Sequence, residues 1–192
     1  MARRTVLLGA IAAVAIAGGS WLWSSSRRAS SAPTATTPPP QATADARKIT
    51  ATLYFVSEDG MSLVGVQREV AFGETVLEQA KQIVTAQLAA GPAPLVSAIP
   101  PSTTLRAIYL TERGDAFVDL SATARTAHTG GTLDELFTVY SIVNALTTNL
   151  PAVKRVQILI EGKEVDTLAG HVDLRHPLQK NLKWVRSDKG DT

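Results

Sequence analysis

The chain has 192 residues, no cysteine and a formal net charge of +2. That length holds one ordinary domain with extensions. The missing cysteine excludes disulfides, cysteine-ligated zinc, iron–sulfur centres, a thiol nucleophile and a lipidated N-terminal cysteine. The charge is uneven: residues 1–47 carry five arginines against Asp45 alone, so the tail holds +4 and the remainder −2. The globular part therefore has no basic excess with which to hold a nucleic acid.

Thr5 to Trp23 is a run of 19 residues without a charge, flanked by Arg3-Arg4 and Arg27-Arg28. About 20 apolar residues span a bilayer, and Trp21 and Trp23 stand where an aromatic belt would lie. Residues 1–23 are expected to form a transmembrane anchor with its N-terminus inside the cell. A cleaved signal peptide is the alternative, with Ala15-Ile16-Ala17 as its cleavage site. Residues 24–47, rich in serine, alanine and threonine around Pro38-Pro39-Pro40, read as a spacer that cannot bury enough apolar surface to fold.

The domain is expected over residues 48–176, with a polar tail at 177–192. Ile49, Ala51, Leu53 and Phe55 alternate with more polar positions, as in a half-buried strand. Glu58-Asp59-Gly60 turns the chain into a second strand over Leu63–Ala71. Gly73 to Leu88 predicts a helix, with Val76, Leu77, Ala80, Ile83, Val84 and Leu88 on one face and Gly91-Pro92 ending it. A proline-bearing loop follows. Leu105–Leu110 and Ala116–Leu120 then predict a hairpin around Arg113-Gly114-Asp115. Ser121 to Gly131 reads as a polar loop.

Gly130 to Pro151 predicts the main core helix. Thr132 and Glu135 have the spacing of a capping box, and Leu136, Val139, Tyr140, Val143 and Leu146 line one face. A strand at Val153–Ile160, the Glu161-Gly162 turn and a return strand near Val165–Leu168 complete the domain. The order ββα, ββα, ββ predicts an α/β (α+β) fold: a two-layer sandwich with two helices on one face of a mixed sheet. Ile83-Val84-Thr85-Ala86 and Ile142-Val143-Asn144-Ala145 are alike, as a duplication or a shared core grammar would make them.

Few residues suggest chemistry. Asp119, Ser121 and His128 are the residue types of a hydrolytic triad, without a glycine-flanked serine elbow. The plainer reading is a strand end capping a loop. His171, Asp173 and His176 supply metal-ligand types within six residues, but no third strong ligand accompanies them. Glu74, Glu78 and Glu135 read as capping or solvated carboxylates. Gly130-Gly131 before a helix could receive an anion, although no phosphate-loop pattern surrounds it. No catalytic, cofactor-binding or metal-binding residue is assigned.

Several stretches resemble the GerMN domain, a family of sporulation and spore-germination proteins: Leu88 to Pro92, Ala98-Ile99-Pro100, Val118-Asp119-Leu120-Ser121 and Gly131 to Leu146. The likeness continues through Val156-Gln157-Ile158-Leu159-Ile160-Glu161-Gly162 and Thr167-Leu168-Ala169-Gly170-His171-Val172-Asp173, so it covers residues 48–176. The resemblance implies a non-enzymatic, extracytoplasmic α/β domain, tethered by a lipid or a helix and used in protein assembly at the envelope. It also implies a link to ring-building folds, and it brings no catalytic residues. Without a cysteine the tether has to be the helix at residues 5–23. The expected partners are the membrane and an envelope protein or cell-wall component; a homo-oligomer is compatible with this, and no cofactor is expected. The rival reading is an envelope hydrolase or esterase using Ser121 and His128.

Overall fold

The computed structural model describes residues 47–186. The expected anchor and nearly all of the spacer lie outside the described residues. Among the described residues no helix is long and apolar enough to cross a membrane. The described part shares one core and falls within a single compact unit, Ala42–Thr192, which by size and core can fold without the chain before it.

The strands are β1 (Lys48–Val56), β2 (Leu63–Ala71), β3 (Leu105–Leu110), β4 (Asp115–Leu120), β5 (Arg155–Ile160), β6 (Lys163–Glu164) and β7 (Leu178–Gln179). The helices are α1 (Val76–Leu88), the short α2 (Thr123–Thr126) and α3 (Thr132–Asn149). This is the expected mixture of helix and strand, but the strands do not form one mixed sheet. β1 and β2 make an antiparallel hairpin of their own. A second sheet runs β3-β4-β5-β6, with β7 also on β5; β4 and β5 are parallel and the other pairs antiparallel.

The hydrogen bonds along the free side of β1 explain the separation. Thr52 N–H donates to Asn149 Oδ1 at 2.8 Å, and Asn149 Nδ2 donates to Thr52 O at 2.8 Å. Gln87 does the same for Tyr54, at 2.8 and 2.7 Å. Val56 exchanges backbone bonds with Val96. Two side-chain amides, one from each long helix, thus occupy the positions a neighbouring strand would need.

The helices consequently do not sit on one face of a single sheet. α1 packs against β1, β2 and β3, and α3 against β1, β5 and β7. With packing on several sides, α3 is buried nearly all round: Phe137, Val139, Ile142, Val143, Ala145 and Leu146 are all essentially inaccessible. Leu136 and Tyr140, expected on the core face, are only partly buried.

The two helix starts differ. Thr75 caps α1 with a complete capping box, accepting from Glu78 N–H while Glu78 accepts from the Thr75 N–H. The box expected at Thr132 and Glu135 does not form. Gly131, at φ 90°, is the N-cap, and Thr132 is already helical. A side chain is strained at that φ, so glycine is required there.

The turn at Glu161-Gly162 carries positive φ at both residues, 52° and 75°. That suits a two-residue hairpin loop, and β6 follows at once. The expected return strand at Val165–Leu168 is instead part of a loop. The segment expected as a polar tail supplies β7, and farther on Leu63 N–H donates to Trp184 O while Arg186 N–H donates to Leu63 O, each at 2.8 Å.

Burial ranks the substitutions in these elements. Ile142→Ala, which opens a cavity in a fully buried site, should cost about 2–5 kcal/mol. Thr75→Ala should cost about 1 kcal/mol through the lost cap, and Thr132→Ala within about 0.5 kcal/mol. Urea unfolding of the 42–192 fragment measures all three.

Candidate functional site

Asp119 lies at the end of β4, buried. One of its oxygens accepts from Arg106 Nε at 3.1 Å and the other from Gly162 N–H at 2.7 Å. Arg106 is the extra residue of a β-bulge between Leu105 and Ala107. Such a bulge re-aims a side chain, and here the guanidinium also reaches Glu161 at 2.7 Å. The second Glu161 oxygen accepts from Ala122 N–H at 2.9 Å, which offsets the strain of a non-glycine residue at positive φ.

Ser121 Oγ accepts from Thr104 N–H at 3.0 Å. His128 Nδ1 accepts from Gly130 N–H at 3.0 Å, so its Nε2 carries the proton towards Thr138 Oγ1 at 3.1 Å. Thr138 passes its own hydroxyl hydrogen to Ala98 O at 2.6 Å. No hydrogen bond links any two of Asp119, Ser121 and His128. A triad needs hydrogen-bond reach between neighbours; these three side chains instead join separate loops.

Of the other candidates, Asp173, His171 and Glu78 are engaged, while Glu74 and His176 are exposed. Both Asp173 oxygens are held by Arg175, at 2.9 and 2.8 Å. His171 turns to Glu135, its Nδ1 lying 3.2 Å from Oε2. Among the described residues no group of three metal-ligand side chains converges. Glu78 serves the α1 cap, and beside it Glu74 is exposed. At Gly130-Gly131 the Asp134 carboxylate lies beside Gly131, so an incoming anion would meet a negative charge.

Glu135 departs most from expectation. It is fully buried rather than a solvated cap. Its oxygens accept from the backbone N–H groups of Leu168 and His171, each at 2.7 Å. Burial works to raise its pKa, but the backbone donors at Ala169, His171, Leu168 and Val172 outweigh it, and the carboxyl lies below its ordinary value. The 167–173 loop is thus an anion nest filled from within the chain.

An apolar concave surface lies elsewhere. A cleft of about 410 Å³ is lined by Leu88, Ala90, Leu95, Val96, Ile99 and Pro101, among others, and no titratable side chain takes part. Two smaller hollows beside it share Ser97 and Ala98 and run towards His128 and Phe137. The cleft itself can seat an apolar group, and its polar side chains are the hydroxyls of Ser97 and Ser102. His128 and Asp134 line only the smaller hollows, where His128 is held by Gly130 and Thr138. In the sequence this region is a proline-bearing loop, and its only signal is Leu95, Val96 and Ile99 amid prolines.

The Glu135 nest generates a test of stability against pH. A carboxyl whose folded pKa is depressed stabilises the fold above its unfolded pKa of about 4.3, and this contribution disappears as pH falls through the folded value. Glu135→Gln leaves at least one buried donor unpaired and should cost about 1–3 kcal/mol at pH 7. The gap from wild type should narrow below about pH 4, as followed by thermal melts across pH.

Comparison with known proteins matches these features to a family. A family model named Germane, described as sporulation and spore germination, matches residues 52–166, more than half of the chain. Among solved structures, a candidate lipoprotein from Clostridium perfringens is 22% identical at a TM-score of 0.50, over 69% of this chain and 88% of that one. The first GerMN domain of the sporulation protein GerM from Bacillus subtilis is 20% identical at 0.54, over 68% and 97%. The tandem GerMN domains of the same protein give 21% and 0.55, over 71% of this chain but only 46% of theirs. The chain therefore spans about half of the tandem. At such identities the likeness carries the fold alone. No curated protein matches the chain. On the extent of the family match, with the GerMN fold beneath it, the chain belongs to the Germane family of sporulation and spore germination domains.

Proposed function

We propose that the chain is a membrane-tethered, extracytoplasmic GerMN module that binds or assembles partners at the cell envelope and performs no chemistry of its own. The observation that carries this is the commitment of the candidate catalytic side chains to holding the fold: Asp119 to Arg106 and Gly162, Ser121 to Thr104, His128 to Gly130 and Thr138. The uncharged run Thr5–Trp23 supports the tether. The candidate lipoprotein with a similar fold supports an envelope location, and the GerM structures support a part in sporulation. An envelope hydrolase would need Asp119, Ser121 and His128 to act together.

β2 offers a means of assembly. Leu63 points its backbone groups outward to Trp184 and Arg186. Alternation along the strand then turns those of Gly65, Gln67 and Glu69 outward too. Among the described residues nothing pairs with these three on that side, and such an edge accepts an added strand.

Full-length protein should stay with membranes, and a reporter fused after residue 192 should be active outside the cytoplasm. Gln67→Pro, which removes an outward N–H from an edge strand, should abolish partner recovery from membrane extracts without lowering the melting temperature by more than a few degrees. Ser121→Ala should leave that recovery intact. Loss of phenotype in a folded Ser121→Ala protein would reverse the assignment.

A further inference from the structure

We propose that the end of the domain formed by the β1–β2 turn and residues 180–186 docks on an anionic lipid bilayer. This rests on the reading that the protein works at a membrane, and adds to it the surface by which the domain lies against that membrane.

Three large apolar side chains are exposed at this end: Met61 at 66%, Leu182 at 47% and Trp184 at 40%. They are held in place. The 182–186 segment is bonded to Leu63, next to the turn, through Trp184 O and Arg186 N–H. Arg186 also grips Asp59 in the turn itself. Asn181 is fixed at its N–H and C=O by the Asn144 side chain of α3, at 2.9 and 2.8 Å. The apolar groups are thus presented by ordered backbone and cannot readily fold inward.

Cations alternate with them. Residues 178–186 contain Lys180, Lys183 and Arg186 and no acid, and residues 187–192 add Lys189 against Asp188 and Asp191. Lys180 and Lys183 are exposed and make no ion pair among the described residues. The turn contributes Glu58 and Asp59, and Asp59 is already engaged by Ser57, Met61 N–H and Arg186. Among the described residues of this end, Glu58 is the acid without an ion pair.

This pattern fits a bilayer better than an anionic polymer. A polymer would use the lysines and leave Met61 and Leu182 in water. At a membrane surface tryptophan settles among the headgroups, leucine and methionine reach the acyl boundary, and lysine stems lie along apolar surface with their ammonium groups at the lipid phosphates. The spacer is long enough. The chain enters the domain at Arg47, at the other end of β1. Nine strand residues put the turn roughly 27 Å away at about 3.3 Å per residue. Residues 24–47 are 24 residues, whose covalent length is at most about 80 Å.

Trp184 is the only tryptophan of the 42–192 fragment, so its fluorescence reports on this surface alone. With vesicles of phosphatidylglycerol and phosphatidylcholine the emission should shift to the blue and be quenched by brominated acyl chains. At least tenfold more protein should sediment with them than with phosphatidylcholine alone. Leu182→Ser with Met61→Ser should lower binding at least tenfold, and Lys180→Glu with Lys183→Glu should remove the preference for anionic lipid. An unshifted, unquenched Trp184 in the wild-type fragment overturns the proposal, as does equal binding to both vesicle types. Fractionation of the full chain separates this from the tether. A fragment that binds vesicles while the full chain washes off membranes removes the tether alone. A membrane-held chain whose fragment ignores anionic vesicles removes the docking surface alone.

Discussion

The rest of the structure depends on α3 being buried on nearly every side. A helix in that position cannot leave its buried polar side chains to water, so each has to find a partner. Ser141 and Thr147 donate to carbonyls of the helix itself, and the others reach the surrounding chain. Glu135 takes the 167–173 loop, Thr138 takes Ala98 and His128, Asn144 takes Asn181, and Asn149 takes Thr52. Four distant segments are thereby fixed to one helix. Among the described residues no buried side-chain nitrogen or oxygen lacks a partner. A bond of this kind adds only about 1 kcal/mol net, while a buried group left alone costs about 1–3 kcal/mol. The clips therefore act mainly by excluding other arrangements of the loops.

The same constraint shapes the sheets. Asn149 and Gln87 close the free side of β1, so the hairpin stays apart from the five-stranded sheet. The hairpin's remaining exposure passes to its other side. There β2 is covered at Leu63 by the 184–186 segment, while Gly65 to Glu69 stays open. The edge available for assembly and the end proposed to meet lipid are thus both set by how the hairpin is sealed.

Much of this was legible in the sequence. β2, β3 and both long helices lie where the apolar runs predict them, but the covered faces differ. In α1 Val76 is exposed while Gln79 and Gln87 are buried, and in α3 Leu136 and Tyr140 are only partly covered. The caps show where local reading stops. Thr75-Glu78 and Thr132-Glu135 have the same spacing, yet only the first forms a box. The difference is tertiary: Glu78 is at the surface, and Glu135 faces a loop with a row of backbone donors. Gln87 and Asn149 look like ordinary helix-end residues, and nothing local marks them as partners of a strand more than thirty residues away. The candidate triad failed for the complementary reason. Residue types within ten positions say nothing about convergence, and Arg106, which takes Asp119, arrives through a bulge that no local motif announces.

The central claim is that α3 and the segments clipped to it form one cooperative unit. Native-state hydrogen exchange tests this directly. The amides of Thr52, Leu168, His171 and Asn181 donate to α3 side chains. They should exchange with the same opening free energy as Ile142 and Val143 within the helix, and with the same full dependence on denaturant. Exchange of those four through local openings insensitive to denaturant, while the helix stays protected, would contradict the account.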